Sequence, residues 1–223
     1  MSLTAENITK DYIRAGKGTN RFTAVKETDF TLEEGCLSVL MGRSGSGKTT
    51  LLNMLSGLLC PTSGRVLSDG DDIYSLDDKK LSKLRNERFG VIPQGQSAVH
   101  SLTVMENILL PFALYREKPD EEYAKQLMER LDIAQLSQVK PSELSGGEIR
   151  RMAIARAAVR KPRVLFADEP TGDLDDENTR EVFDFLKEQA KNGTAVLIVT
   201  HENDAKAYAD KLYRMNGGVP EKA

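Results

Sequence analysis

The chain has 223 residues, the size of one domain or of one core with a sizeable insertion. Apolar residues make up 39% and charged residues 29%, which favours a folded globular protein over a disordered one. The 31 basic and 34 acidic residues give a formal charge of −3, without the basic surplus typical of proteins that bind the DNA backbone. Two cysteines, Cys36 and Cys60, are too few for a disulfide framework, and no cysteine or histidine spacing predicts a zinc site.

The first part of the chain is predicted to form short strands, turns and one helix. Leu3–Thr9 and Phe22–Leu32 alternate loosely between apolar and polar residues, and Ala15–Asn20 between them has the composition of a turn. Leu37–Met41 is a short apolar run that predicts a buried strand. After a glycine-rich loop, Lys48–Gly57 is predicted to be a helix.

Turn clusters at Pro61–Gly64 and Ser68–Asp72 then mark a hairpin-like stretch. From residue 77 to residue 160 the pattern is mainly helical. A proline and acidic residues begin one helix, Pro119–Leu131, and a second helix covers Gly147–Arg160. No internal repeat or low-complexity segment interrupts this order.

The last quarter alternates between strand and helix patterns. Val164–Ala167 and Ala195–Val199 are fully apolar, which is typical of strands buried on both faces. Glu177–Ala190 between them is amphipathic and Gly193 marks its end, so the stretch predicts a parallel βαβ unit. The apolar runs are far shorter than the roughly 20 residues that cross a bilayer. The first residues are polar and do not resemble a signal peptide, so we expect a soluble, cytoplasmic chain.

The strongest local motif is the loop after Leu37–Met41, which matches GxxxxGK[ST] over Gly42–Thr49. Glycines let the backbone wrap around phosphates, and the amides of the loop and of the following helix point toward them. Lys48 is the predicted partner of the β- and γ-phosphates, and Thr49 a predicted Mg²⁺ ligand. Because the motif lies between an apolar strand and a helix, a nucleoside triphosphate site is favoured over an ordinary glycine turn.

A second buried strand ends in two carboxylates, Asp168 and Glu169. Since ligands bind at the carboxyl ends of parallel strands, Asp168 is predicted to lie near the phosphate loop and to hold Mg²⁺ through water. Glu169 is then free to polarise an attacking water. An apolar strand followed by Asp-Glu is a weak signal alone, and the preceding phosphate loop makes it a strong one.

Leu144–Glu148, with the sequence LSGGE, resembles the signature of ABC-type ATPases and lies between the phosphate loop and the carboxylate strand, as it does in that family. Ser145 to Gly147 open a predicted helix whose bare N-terminus would attract an anion. In the family this signature faces the γ-phosphate held by the other subunit of a head-to-tail dimer. The resemblance therefore implies a site shared between two chains.

Four further positions resemble family motifs. Gln94 resembles the glutamine that joins the core to the helical subdomain, although Pro93 before it replaces the commoner aromatic residue. Thr171–Asp175 resembles the loop that crosses the dimer interface. His201 resembles the switch histidine that contacts the γ-phosphate, and Tyr12 the aromatic residue that stacks on adenine. The signature continues as Glu-Ile-Arg-Arg, where related sequences often have glutamines, and residues 96–100 match no family segment.

The predicted fold class is α/β: a P-loop NTPase core with a mixed, mainly parallel sheet, an N-terminal antiparallel β-subdomain and an inserted α-helical subdomain. Residues 1–223 are expected to form a single ABC ATPase domain, with 1–94 and 161–223 as the ATP-binding core and about 95–160 as the helical signature subdomain. The predicted catalytic residues are Lys48, Gln94, Glu169 and His201, and the predicted Mg²⁺ ligands are Thr49, Gln94 and Asp168. The predicted nucleotide-binding residues are Tyr12, Gly42, Arg43, Ser44, Gly45, Ser46, Gly47, Lys48, Thr49, Thr50, Ser145, Gly146, Gly147, Glu148 and Asp175.

Within the family, residues 44–53, Leu84–Asn86, Glu106–Pro111 and DEPTG followed by DLD resemble the branch of lipoprotein-release, macrolide-export, peptide-antibiotic-resistance and cell-division (FtsE-like) ATPase subunits. The resemblance implies ATP hydrolysis with Mg²⁺, an ATP-dependent homodimer, and a transmembrane permease that exports or extracts lipid, peptide or drug-like substrates. We expect the chain at the inner face of the cell membrane through this permease, docked near residues 94–111, with no nucleic-acid partner. The alternative is a mechanotransmission or signalling ATPase on an FtsX-like membrane protein, without transport. A soluble ATPase acting on DNA or ribosomes ranks below both.

Overall fold

The structure is a computed structural model that describes residues 2–14, 20–95, 97–172 and 174–223. Residues 15–19 of the predicted turn, together with Gln96 and Asp173, lie outside the described residues. The strands and helices, in chain order, are β1 (Ser2–Arg14), β2 (Asn20–Glu33), β3 (Leu37–Met41), α1 (Lys48–Leu55), β4 (Ser63–Ser68), β5 (Asp71–Asp72), α2 (Asp78–Arg88), β6 (Phe89–Ile92), α3 (Val104–Ala113), α4 (Glu121–Arg130), α5 (Gly146–Ala158), β7 (Val164–Asp168), α6 (Asp176–Lys191), β8 (Ala195–Thr200), β9 (Lys211–Asn216) and β10 (Val219–Lys222).

The central sheet has the strand order β10-β9-β3-β8-β7-β6 within the described chain. All of its neighbouring pairs are parallel except the hairpin β9–β10. In register, Met41 of β3 lies opposite Thr200 of β8, and Asp168 of β7 lies opposite Val199. The loop after β3 and the residues that follow β7 and β8 therefore emerge at one edge of the sheet, where α/β folds place their ligands.

Apolar side chains cover both faces of this sheet. Leu165 and Ala167 of β7 belong to a core that also contains residues of α3, α4, α5 and α6. Val164 and Phe166 of the same strand point to the other core, which contains residues of α1 and of β1, β2 and β4. Burial on both faces explains why β7 and β8 are apolar at nearly every position instead of alternating.

The second sheet is antiparallel, in the order β2-β1-β4-β5. Leu3, Ala5 and Ile8 of β1 are buried against the second core, and the pairing with β2 shifts register between Ala5 and Ile8. β4 and β5 pair across the turn after Ser68, which confirms the predicted hairpin. The α/β fold class with a mixed, mainly parallel sheet and a separate antiparallel sheet is likewise confirmed.

The structure differs from the sequence predictions in three short strands at the two sides of the central sheet. β6 lies within the stretch predicted to be mainly helical. Its sequence pattern did not reveal it, because the strand has only four residues and follows α2 without a loop. β9 and β10 lack the buried apolar pattern of β7 and were not predicted. The four predicted helices correspond to α1, α4, α5 and α6, within two residues at each end. None of the described helices is long and apolar enough to span a bilayer.

Candidate active site

The phosphate loop between β3 and α1 is shaped by Gly47, which has φ of +104° and precedes α1. A Cβ on Gly47 would lie 2.3 Å from the carbonyl oxygen of Ala24, so the loop packs directly on the backbone of β2 and a side chain would displace it. Within the described residues, no side chain caps the start of α1. Its first N–H groups are therefore available to an anion.

Lys48, the first residue of α1, lies across this loop and is 7% exposed. Its ammonium group donates to the carbonyl oxygen of Gly42 at 2.8 Å and to that of Arg43 at 3.3 Å. A positive charge is thereby held beside the free helix amides. The loop offers one anion both a charged donor and backbone donors.

Asp168 ends β7 and is 4% exposed. Burial raises the pKa of its carboxyl group above the ordinary value, and a hydrogen bond from Thr49 opposes that shift. Oδ1 is buried without a hydrogen-bond partner in the part of the chain that the structure describes. An unpartnered carboxylate oxygen beside a threonine hydroxyl fits Mg²⁺, which binds through few protein oxygens and completes its shell with phosphate and water.

Glu169, the next residue, has φ of +46°, in the left-handed region that side chains disfavour. Its N–H donates to the carbonyl of Val199 at 2.9 Å, and its Oε2 accepts from Thr200 Oγ1 at 2.8 Å. Its Oε1 lies 3.0 Å from His201 Nδ1. The end of β8 thus holds the Glu169 carboxylate, while the Glu169 backbone has a strained conformation. Such strain is common at functional positions.

One cavity of about 660 Å³ brings most of the predicted site residues together. It is lined by Tyr12, Phe22, Ala24, Arg43, Ser44, Gly45, Ser46, Gly47, Lys48, Thr49, Thr50, Gln94, Glu169 and His201. Every predicted catalytic residue lines it, and the His201 side chain is 72% exposed, so a ligand can reach its imidazole. Gly42 lines an adjoining cavity that shares Arg43, Ser46 and His201.

The structure places the signature residues elsewhere, because none of Ser145 to Glu148 lines either cavity. The predicted bare helix N-terminus is wrong. Glu148 accepts from the Ser145 N–H at 2.7 Å and from the Ser145 hydroxyl at 2.8 Å, and its own N–H donates to Ser145 Oγ at 3.3 Å. This is a capping box, and its bonds hold the pKa of the Glu148 carboxyl below the ordinary value.

Asp175 lies outside both cavities as well. It caps α6, with Oδ1 accepting from the N–H and the side-chain amide of Asn178, each at 2.8 Å. One chain therefore does not bring Asp175 or the signature to the phosphate loop. Their contacts with nucleotide stay predictions.

Two residues of the site escaped the sequence analysis. Phe22 is the cross-strand partner of Tyr12, and these two exposed rings stand side by side at the cavity. Only the register of β1 with β2 reveals this pair. Thr200 binds the carboxylate of Glu169, and its position directly before His201 was the available signal.

A separate groove of about 240 Å³ lies between α2, β6, α3 and α5. It is lined by Asn86, Phe89, Gly90, Val91, Leu110, Pro111, Leu114, Arg156, Ala157 and Arg160. Leu114 is 68% exposed. Asn86 Nδ2 and Arg160 Nη1 are buried without a hydrogen-bond partner among the described residues. The groove thus exposes an apolar side chain, whereas both unpartnered donor atoms are inaccessible to solvent.

Comparison with known proteins adds independent findings. A profile of the family described as ABC transporter matches residues 25–172. The lipoprotein-releasing system ATP-binding protein LolD of Hydrogenovibrio crunogenus is 39% identical over 219 residues, 97% of this chain and 94% of LolD. The macrolide export ATP-binding/permease protein MacB of Aggregatibacter actinomycetemcomitans is 37% identical over 206 residues, 91% of this chain and 32% of MacB.

Solved structures agree with these relatives. Two dimeric structures of MJ0796, a bacterial ABC transporter cassette, match with a TM-score of 0.89 and 30% identity, over 98% of this chain and 96% of theirs. One of them is a post-hydrolysis state bound to ADP and Pi. The phosphate loop, the paired carboxylates and the sheet topology agree with these matches. The chain therefore belongs to the ABC transporter family, as an ATP-binding subunit of the LolD and MacB type, whose homologues are ATPases.

Proposed function

We propose that this chain hydrolyses ATP as a head-to-tail dimer and drives a transmembrane permease. The observation that carries the proposal is the convergence of Lys48, Glu169 and His201 on one cavity at the sheet edge. These side chains supply a phosphate-binding cation, a fixed carboxylate and an accessible imidazole. That set suits phosphoryl transfer to water.

Binding of ATP uses the loop and the two aromatic rings. The free amides of α1 and the loop receive the β- and γ-phosphates, and Lys48 exchanges the carbonyls of Gly42 and Arg43 for phosphate oxygens. Tyr12 and Phe22 offer ring faces on which adenine stacks. Thr49 and Asp168, with Gln94 as the third ligand, would hold Mg²⁺, which supplies charge neutralisation on the phosphates when bound.

Hydrolysis relies on Glu169. Its carboxylate accepts a proton from the attacking water, and the water oxygen forms a bond to the γ-phosphorus. The bond between the γ-phosphorus and the bridging oxygen breaks, which releases ADP and phosphate. Thr200 and His201 hold that carboxylate in place. His201 also meets the γ-phosphate from the open side of the cavity.

A second copy of the chain is needed because the signature lies away from the phosphate loop of its own chain. In the proposed dimer, Ser145 and Gly147 of each chain face the γ-phosphate bound by the other, and Asp175 lies at the same interface. The dimeric state of the MJ0796 structures supports this arrangement. Residues 95–160 then act as the helical subdomain that moves when the dimer closes.

The permease is proposed to dock in the groove between α2, β6, α3 and α5. Its exposed Leu114 suits an apolar side chain of a short permease helix. The groove meets the expected docking region, residues 94–111, at Leu110 and Pro111. The proposed permease extracts or exports lipid, peptide or drug-like molecules. The names of LolD, from a lipoprotein-releasing system, and of MacB, a macrolide export protein, support the lipid and drug-like classes.

The proposal is tested first with Glu169→Gln. The variant is expected to bind ATP normally and to lose turnover by at least about a hundredfold, because the amide is a far weaker base. It should also form a stable dimer with ATP and Mg²⁺, measured by light scattering. Glu181→Gln, an exposed change on α6, is the matched control and should behave as the unaltered chain. Normal turnover in Glu169→Gln would refute the assigned base.

The trapped Glu169→Gln dimer also tests the partner. Affinity purification from native membranes with ATP is expected to recover a multi-span membrane protein, and adding Leu114→Asp should reduce that recovery. The extracellular part of the recovered protein would separate transport from mechanotransmission. Recovery of ribosomal or DNA-bound proteins alone would overturn the permease while leaving the ATPase chemistry intact.

A further inference from the structure

Arg150 is a buried cation on the signature helix that none of the roles above uses. It lies on α5 with only 6% of its surface exposed. A guanidinium group remains charged at that depth and must be matched by acceptors. Its Nη1 donates to the carbonyl oxygen of Pro93 at 2.7 Å, 57 residues away in the sequence.

This bond reaches the joint beside the candidate active site. Pro93 directly precedes Gln94, whose side chain lines the nucleotide cavity. Proline fixes its own φ but not its ψ, so the direction of its carbonyl depends on what the oxygen is bonded to. The hydrogen bond from Arg150 therefore sets the orientation of the peptide that leads into Gln94. Pro93 and Arg150 also both depart from the family pattern, Pro93 before Gln94 and Arg150 in the Glu-Ile-Arg-Arg sequence that follows the signature glycines.

The other end of the guanidinium group lies near the loop that follows the carboxylates. A Cβ placed on Gly172 would be 3.9 Å from Nη2 of Arg150. Gly172 donates its N–H to the carbonyl oxygen of Glu169 at 3.3 Å, so this loop is continuous with the proposed base. One planar group, carried by the signature helix, thus binds the Gln94 joint and lies near Gly172 in the loop after Glu169.

We propose that Arg150 is a positioning residue that couples movement of the signature helix to the placement of Gln94 and of the loop after Glu169. The inference rests on the ATPase roles proposed above for these residues. Arg150 lines neither cavity beside the phosphate loop, so it acts through the residues that it holds. Because a rigid, forked cation bridges both sides, displacement of α5 is transmitted to the two sides together.

The test compares Arg150→Gln and Arg150→Lys in steady-state ATPase assays. Arg150→Gln is expected to lower kcat about tenfold, the effect of losing one charged hydrogen bond that positions the site. The KM for ATP should change by less than about twofold, because the substitution leaves the contacts between the phosphate loop and ATP unaltered. Arg150→Lys keeps the charge and one donor for Pro93, so it should recover part of the lost rate. Arg130→Gln, which removes an exposed arginine paired with Glu188, is the charge-matched control.

Amide hydrogen exchange separates positioning of the Gln94 joint from simple space filling, because only loss of positioning would change the exchange rates at that joint. In Arg150→Gln, exchange at Gln94 and Gly95 should accelerate while exchange in β7 stays unchanged. Unchanged exchange there, with kcat reduced only in proportion to the folded fraction, would overturn the inference. If Arg150→Gln does not fold, Arg150→Lys carries the same comparison, because it retains the charge but not the fork.

Gln94→Ala, measured in parallel, separates this inference from the proposed function. A slow Gln94→Ala beside an unaffected Arg150→Gln would overturn the coupling role alone. A Gln94→Ala variant with the rate of the unaltered chain would instead overturn the role of Gln94 in hydrolysis, and the coupling role with it.

Discussion

The starts of α1 and α5 can be compared directly, since each is proposed to meet the same phosphate group from opposite chains. The start of α1 has no side-chain cap within the described residues, and Lys48 lies beside its free amides. The start of α5 is closed by Glu148, which occupies both the N–H and the hydroxyl of Ser145. One anion site is therefore open in the single chain, and the other already holds a carboxylate of its own helix.

This difference separates two tasks within one reaction. The open start of α1 gives a single chain affinity for a nucleotide. At α5, a phosphate must compete with the Glu148 carboxylate for Ser145. We therefore expect the proposed contact to form only when the partner chain presents a phosphate rigidly. In the proposed mechanism, nucleotide binding is thus assigned to the start of α1 and closure of the dimer to the start of α5.

The largest effect is expected from breaking the open site. Lys48→Ala should weaken ATP binding to the isolated chain about a hundredfold, because the charged hydrogen bonds to the phosphates are lost. Isothermal titration calorimetry measures this directly. Lys79→Ala, an exposed change on α2, is the control. Unchanged affinity in Lys48→Ala would remove the lysine from the phosphate site.

A smaller effect on binding, with a clear effect on turnover, is expected at the closed site. Ser145→Arg should leave ATP binding to the single chain unaltered, and lower kcat about tenfold or more because a bulky side chain blocks dimer closure. Light scattering of the variant combined with Glu169→Gln would report the missing dimer. Full hydrolysis by Ser145→Arg would contradict a site shared between two chains.

The smallest effect concerns the capping box itself. Glu148→Ala should destabilise the fold by about 0.5–1 kcal/mol, the usual contribution of such a cap, seen as a lower melting temperature. The folded-state pKa of Glu148 is lowered, so its stabilisation is present above the ordinary glutamate pKa and is lost as the pH falls through the lowered value. The difference in melting temperature between the two chains should therefore shrink in acid. If the difference in melting temperature persisted unchanged in acid, the loss of stability in Glu148→Ala would come from packing instead of from the capping box.

Contiguous motifs made much of the site predictable. The residues proposed to bind phosphate follow β3 without a break, and the two carboxylates lie at the end of β7, so local sequence and sheet topology were sufficient to bring them together. Phe22 was not accessible in this way, because its place beside Tyr12 depends on the register of two strands that contain bulges. Arg150 was missed for a related reason, since a charged residue on a helix gives no sign of its burial.

The capping box is a different case, because its signal was present. Ser145 followed three residues later by Glu148 is the usual sequence pattern of a capping box. Because Leu144–Glu148 also resembles the family signature, the sequence analysis interpreted the start of this helix as an open anion site. The edge strand β6 was hidden by its length of four residues and its direct continuation from α2.

The position of β3 in the central sheet has a consequence for synthesis of the chain. β3 is complete after residue 41, but its two neighbours, β8 and β9, come from residues 195–216. A nascent chain on the ribosome therefore exposes both hydrogen-bonding edges of this strand until β8 has been added, and one edge until β9 has been added. Contacts so distant in sequence slow folding and leave an interval in which unpaired strands can aggregate. Shielding by a chaperone would matter most during that interval.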